Sequence, residues 1–328
     1  MAGAAGERIV RSSMMTKYVA FCCLLTAVTA ASVLAEPGPS EISAHLIKAG
    51  LTDDNPATPS ADAAVDQSQP CAGVSFSRGL KYGESDLNVL DVATSDSKDT
   101  SPRPVLMFVA GESFAGEGGM PAAAVQDQAM CFAARNGMVG VKVNYRLAPV
   151  NPWPAGARDV AAAASWIYEN IDLFGGNHTE IVAVGYSVGA FHVASLLAHP
   201  EFQVHDSDLA AAVLVSGIYH SGAEASDAEK SYFGADASKY QERSAFPGIL
   251  NIAIPILLAW SALDPPRLVT QGEGLKQRLC NSLTHCPHTT VLKSRDSLAA
   301  AFGSDTASGS LAGPTLELIR EIEARGLP

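Results

Sequence analysis

A serine sits between two glycines in Gly185-Tyr186-Ser187-Val188-Gly189. The strand-like run Ile181-Val182-Ala183-Val184 enters this segment, and helix-forming residues from Ala190 to His199 leave it. A glycine on each side lets a strand-to-helix turn be tight enough to lift the serine hydroxyl clear of the backbone. A hydroxyl presented in that way is suited to acyl transfer, provided that a base takes its proton and N–H donors meet the developing oxyanion. The elements around the serine must supply those two parts.

From Cys71 onward strands and helices alternate. Leu87 to Val92, Val105 to Val109, Val139 to Asn144, Ala210 to Val215, Ile254 to Trp260 and Thr289 to Leu292 have the apolar, β-branched character of strands. Gln126 to Asn136, Ala157 to Asn170 with Trp166 and Ile167 on its apolar face, Leu268 to Cys280 and Leu316 to Ala324 read as helices. The alternation predicts an α/β class, a mostly parallel sheet covered on both faces, whose chemistry lies at the carboxyl ends of the strands. Tyr219 to Phe246 is a polar excursion with some aromatics, placed to form a small lid.

The chain has 328 residues, 47% apolar, which is enough for one large domain at 71–328. Its net charge of −12 argues against a nucleic-acid partner. Arg8, Arg11 and Lys17 precede an uncharged stretch from Tyr18 to Ala35, and Val33-Leu34-Ala35 fits a cleavage site. Residues 1–35 therefore read as a signal peptide, with Met14 or Met15 as an alternative start, and a secreted or periplasmic location is expected. A membrane anchor is the rival reading of the same stretch. Its Thr and Ser content and the Pro-Gly-Pro that follows favour cleavage, leaving no stable membrane insertion. Residues 36–70, rich in Ala, Asp, Ser and Pro, read as a mobile linker with at most one short helix near Ile42 to Ala49. Cys22 and Cys23 would leave with the signal. Of the remaining Cys71, Cys131, Cys280 and Cys286, the last two flank a short polar loop and suit a local disulfide, with buried free thiols as the alternative. No cysteine or histidine spacing suggests a metal site, and no phosphate-cradling glycine motif implies a nucleotide, so no cofactor is expected.

Four blocks resemble the secreted carboxylesterase branch of the α/β-hydrolase superfamily, in the pattern of hormone-sensitive-lipase-like and feruloyl or acetylxylan esterase-like proteins. They are Asn144-Tyr145-Arg146-Leu147-Ala148-Pro149 with Pro152, Pro154 and Asp159; the segment Gly185 to Gly189; Ser216-Gly217-Ile218-Tyr219; and Leu263-Asp264-Pro265-Pro266. The resemblance covers about two thirds of the chain, with the blocks in the family's order. It implies the α/β-hydrolase fold, Ser187 as nucleophile and Asp264 as the triad acid that orients a histidine. An aspartate before two prolines also suits an ordinary turn. The oxyanion donors implied are the N–H groups of Glu112, Ser113 and Val188.

Two family features are changed. A His-Gly-Gly-Gly type loop is expected after Val105 to Val109, and the chain has Ala110-Gly111-Glu112-Ser113-Phe114. Glu112 turned to solvent leaves the hole intact, whereas Glu112 turned inward repels an oxyanion. The histidine loop after the last strand aligns with Arg295-Asp296-Ser297-Leu298-Ala299, and no histidine follows His288. Arg295 stays protonated and cannot be a base. His178, His199, His205 and His288 belong to the wrong end of the sheet, His45 to the linker and His285 to the loop between the cysteines, while His192 is expected to pack on its helix. His220, after a strand's carboxyl end, is the one stand-in base, ahead of Lys293. Two function classes stay open: a serine carboxylic ester hydrolase, and a pseudo-hydrolase that binds an ester, glycan or lipid without turnover.

Overall fold

The computed structural model describes residues 71–96, 101–111, 113–115, 123–203, 209–282, 286–292, 302 and 311–325. The expected signal peptide, linker and histidine loop, and Glu112, His45, His205, His285, Lys293 and Arg295, lie outside the described residues.

Eight strands form one sheet in the order β1-β2-β4-β3-β5-β6-β7-β8. They are β1 Val74–Lys81, β2 Val89–Ser95, β3 Arg103–Val109, β4 Val139–Val143, β5 Gly176–Tyr186, β6 Ala211–Val215, β7 Ile256–Ser261 and β8 His288–Leu292. Strand β2 runs antiparallel to both β1 and β4, and the remaining pairs are parallel. The helices are α1 Ala123–Arg135, α2 Ala155–Asn170, α3 Val188–Ala198, α4 Asp227–Phe233, α5 Tyr240–Arg243, α6 Pro266–Ser282 and α7 Ala312–Arg325. This is the α/β-hydrolase fold that the resemblance implied.

Alternation along the central strands divides the core. Val105, Met107 and Val109 of β3 face one layer with α2, α3 and α6, where Ala157, Ile167, Val193 and Leu275 are buried. Leu106 and Phe108 face the other, with Ala129 and Ala133 of α1 and Leu318 and Ile322 of α7. Burial on both faces is why Val105–Val109 of β3 and Ala211–Val215 of β6 read as continuous apolar runs.

Strand β1 was not legible as a strand. It lies at the sheet edge, mixes buried and exposed positions, and is interrupted by a register shift between Ser77 and Leu80 around Gly79 at φ 67°. Charge fixes this irregular edge. The Asp91 carboxylate accepts the Gly79 N–H at 2.8 Å and pairs with Lys142 Nζ at 2.8 Å and an Arg78 nitrogen at 3.0 Å. Burial alone would push Asp91 up, but these cations and the amide hold its carboxyl below the usual range. Strand β2 starts later than its apolar pattern suggested because Asn88 closes a turn, its Oδ1 accepting the Ser85 N–H at 3.1 Å.

Two disulfides are present among the described residues. Cys280–Cys286 is the expected local one, and Cys71–Cys131 ties the chain before β1 to α1 across 60 residues. A cross-link of that loop length removes on the order of 4 kcal/mol of unfolded-state entropy in the chain-entropy account.

Candidate active site

The carboxyl ends of β3, β5, β6 and β7 converge, and each carries one part of the site. Ser187 lies between β5 and α3 at φ 54° and ψ −117°, a conformation that costs an L-residue about 1–3 kcal/mol and persists only where the surroundings impose it. The surroundings do so here. The Ser187 N–H donates to the Val215 carbonyl at 2.8 Å, which ties the turn to the end of β6. A Cβ on Gly189 would stand 1.9 Å from the Val109 carbonyl oxygen, and one on Gly185 would stand 2.5 Å from the Ala190 Cα. The two glycines of the motif are therefore where α3 touches β3 and where the turn folds back on itself. Helix α3 is mostly apolar, and Val188 to Leu196, His192 and Ser195 included, are buried, as in a helix enclosed by the core.

The loop after β3 lies against the start of α3. A Cβ on Gly111 would be 3.4 Å from the Gly189 nitrogen and 3.4 Å from the Val188 Cβ, and only 2.2 Å from the Tyr145 hydroxyl. Tyr145 donates that hydroxyl to the Ala110 carbonyl at 2.9 Å, so the Tyr-Arg-Leu-Ala-Pro block supports this loop from beneath. Arg146 of the same block is held by Asp159 of α2, through Nε at 2.8 Å and Nη2 at 2.7 Å. Val188 is the first residue of α3, where a backbone N–H has no intrahelical partner and is available as a donor. Ser113 is half-buried, and its Oγ accepts the Ala115 N–H at 3.3 Å, leaving its own backbone as the candidate donor.

Asp264 follows β7. Its Oδ2 accepts the Ser216 hydroxyl at 2.6 Å and the Ser261 N–H at 2.9 Å. Ser216 is itself at φ 50°, the second non-glycine at positive φ among the described residues, and its N–H donates to the Ala259 carbonyl at 2.8 Å. Thus both strained residues stand side by side, one presenting a hydroxyl and the other fixing the acid. Asp264 also closes the turn after β7, its N–H donating to the Ser261 carbonyl at 3.1 Å.

The histidines fall elsewhere. His220 has its backbone clamped on both sides by Gln271 of α6, which accepts the His220 N–H at 3.1 Å and donates to its carbonyl at 2.7 Å. Its exposed ring lies edge-on to Phe246 at 6.3 Å, and among the described residues it has no hydrogen bond to Ser187 or Asp264. His178 pairs with Asp172 at 2.9 Å, His199 with Glu201 at 3.3 Å and His288 with Glu321 at 3.0 Å. His192 packs inside, as expected, with ring centroids 4.6 Å from Tyr145 and 5.5 Å from Tyr232. Burial pushes His192 down to about 3, which keeps the ring neutral, and its Nδ1 has no partner among the described residues.

The expected lid is α4 and α5 with their connections, and it is packed down. Tyr232, Phe233 and Tyr240 are buried with Phe114 and Phe191 in a third apolar cluster. Phe114 stacks on Tyr232 at 4.9 Å and meets Phe191 edge-on at 5.1 Å. An ion pair that sequence reading missed ties the lid to the acid loop. Arg267, in the first turn of α6, grips buried Glu229 of α4 through two nitrogens at 2.5 and 2.8 Å. Glu229 also accepts the Ser221 hydroxyl at 2.8 Å and the Ser226 N–H at 2.9 Å. Burial raises the Glu229 carboxyl, but Arg267 and these donors outweigh it and hold the group below the usual range. The available signal was Ser226-Asp227-Ala228-Glu229, the spacing of a capping box, which α4 carries.

The carboxylesterase family model matches residues 58–241, more than half of the chain. The chain belongs to the carboxylesterase family. The matched carboxylesterase segment takes in Ser113, Ser187 and Val188 and ends before Asp264. Among curated relatives, the chain is similar to esterase LipC of Mycobacterium tuberculosis, 32% identical over 152 residues, or 43% of this chain and 36% of that protein. Esterase LipQ of the same organism is 30% identical over 200 residues, 57% of this chain and 45% of that one. Phenmedipham hydrolase of Pseudarthrobacter oxydans is 35% identical over 112 residues, 31% and 21% of the two chains. The chain thus spans less than half the length of these relatives. Among solved structures, esterase B from Lactobacillus rhamnosis superposes with a TM-score of 0.66 at 12% identity, covering 88% of this chain and 97% of that one. A carbohydrate esterase from gut microbiota gives 0.61 at 15% identity, covering 76% and 96%. At such identities these likenesses establish the α/β-hydrolase fold alone.

Proposed function

We propose that this carboxylesterase-family chain is a serine-nucleophile carboxylic ester hydrolase acting on small-molecule esters. The observation that carries the reading is Ser187 itself, held at φ 54° by a bond to β6 and by two glycines that no larger residue could replace. Strain of this kind is retained where it presents a functional group. Ser187 Oγ attacks the acyl carbon, the N–H groups of Val188, Ser113 and Glu112 receive the oxyanion, and Asp264 stabilises the base as it gains a proton. The names esterase and hydrolase among the relatives support this reading. The test is hydrolysis of short-chain p-nitrophenyl esters by the purified protein beside Ser187→Ala. Turnover that falls by at least about a thousandfold in the variant is the expected result, and equal rates would remove the reading.

A second reading, a pseudo-hydrolase that binds an ester, glycan or lipid, is favoured by the position of His220. Its ring meets Phe246, and its backbone is pinned to Gln271. Equal background rates for the parent and Ser187→Ala, with saturable binding of an ester, would establish that alternative.

We also infer export, with residues 1–35 as signal, 36–70 as linker and 71–328 as the hydrolase domain. The disulfides Cys71–Cys131 and Cys280–Cys286 support an oxidising destination. Among the described residues no helix is long and apolar enough to cross a membrane.

A further inference from the structure

Strands β5 and β7 flank β6, with Tyr186 level with Val215 and Val215 level with Ala259. The loops carrying Ser187 and Asp264 therefore leave the sheet two strand spacings apart, about 10 Å. A proton acceptor placed between those loops would face both the hydroxyl and the carboxylate. Both ends are prepared for one. Ser187 Oγ has no hydrogen bond among the described residues. Asp264 uses only Oδ2 internally, for Ser216 and Ser261, and Oδ1 has no partner among the described residues. The base is what the described residues fail to bring. His178, His199 and His288 are engaged with carboxylates, His192 is enclosed among aromatic rings, and His220 is pinned beside Phe246.

We propose that the ligand completes this site: a neutral amine or imidazole nitrogen carried by an ester substrate takes the Ser187 proton, and Asp264 Oδ1 holds the cation that results. The substrate class is then an ester with a basic nitrogen a few bonds from the ester oxygen, such as an ester of a β-amino alcohol. The step balances. The substrate nitrogen gains the hydroxyl proton as Ser187 Oγ bonds to the acyl carbon, and the carbonyl π electrons move to the oxyanion. Collapse breaks the bond to the alcohol oxygen, which takes the proton back from nitrogen and leaves as the amino alcohol. While that alcohol is still bound, its nitrogen accepts a proton from water, whose oxygen attacks the acyl-serine. The carboxylic acid leaves, and the proton returns to Ser187 Oγ. The fixed acid lowers the cost of charging the nitrogen, as it does for an intramolecular histidine.

The proposal rests on the ester-hydrolase reading, so the experiment separates the two. Ser187 is labelled with a p-nitrophenyl phosphonate, which needs no turnover, with increasing imidazole in the parent, Ser187→Ala and Asp264→Asn proteins. A general base contributes about 10²–10⁴-fold, so saturating imidazole is expected to raise labelling of the parent at least about tenfold. Ser187→Ala should not label, and Asp264→Asn should lose most of the gain. In parallel, kcat/KM for 2-(dimethylamino)ethyl acetate should exceed that for 3-methylbutyl acetate, its carbon isostere, by at least about tenfold. Labelling that is indifferent to imidazole, or that rises linearly and equally in Asp264→Asn, overturns the proposal while leaving Ser187 a nucleophile. If Ser187 does not label under any condition, the hydrolase reading fails, and this one fails with it.

Discussion

The two halves of the site are built to different standards. On the nucleophile side, β3, β5 and α3 meet closely, and a Cβ added to Gly185, Gly189 or Gly111 would stand 2.5, 1.9 or 2.2 Å from a neighbouring atom. On the acid side, Asp264 is oriented by Ser216 and Ser261, and the lid is locked by Arg267, yet no histidine among the described residues reaches the gap between the halves. The two glycines of the elbow are also a packing joint, so core packing alone would preserve them. A base has no packing role at that position, and only catalysis would hold it. The difference teaches that the elbow's glycines report the fold, whereas turnover is read from the strained Ser187 and from the groups that face it.

The largest expected effect tests the nucleophile half. Gly189→Ala puts a Cβ 1.9 Å from a backbone oxygen that cannot move without displacing β3. A loss of at least about 4 kcal/mol of stability, or failure to fold, is expected from such overpacking, measured by denaturant unfolding. A variant as stable as the parent would show that α3 does not sit on β3 as described. The acid half is tested by Arg267→Ala, which leaves buried Glu229 with its two serines but no cation. A loss of about 3 kcal/mol is expected, with faster amide exchange across α4 and unchanged phosphonate labelling of Ser187. Unaltered exchange in α4 would mean that the clamp is ornamental.

The smallest effect sharpens the comparison by pH. His192 is buried under the nucleophile half, packed against Tyr145, Phe114, Phe191 and Tyr232, and held neutral down to about 3. The unfolded chain binds the proton first, near its ordinary value of about 6.5. Stability therefore declines as pH falls from that value towards 3, by at most about 1.4 kcal/mol per pH unit. Glu229 is also held low, but its loss begins only below the ordinary carboxylate range. The window between pH 6 and 5 consequently belongs to His192 rather than to the clamp. His192→Phe should flatten the decline in that window, followed by urea unfolding, and an unchanged slope would assign it to other groups.

Much of this was legible in the residues. Core strands showed as apolar runs because both faces are covered, and Ser187 showed because a strand, two glycines and a helix are all local. Helix α6 began two residues earlier than its apolar pattern, since Pro266 suits a first helical position, where its missing N–H costs nothing. Strand β1 was hidden because an irregular, half-exposed edge has no clean period. The Glu229–Arg267 pair and the Ser216–Asp264 bond were hidden because their partners are 38 and 48 residues apart.

By itself the sequence determined the fold class and the elbow, because both are set by residue types at short spacing. Only the tertiary structure decided that Ser216 orients the acid, that Tyr145 supports the loop after β3, that the lid is bolted to α6 and that His220 faces Phe246. Those outcomes depend on which strands become neighbours, and in a parallel sheet neighbouring strands are distant in sequence and joined only through packing.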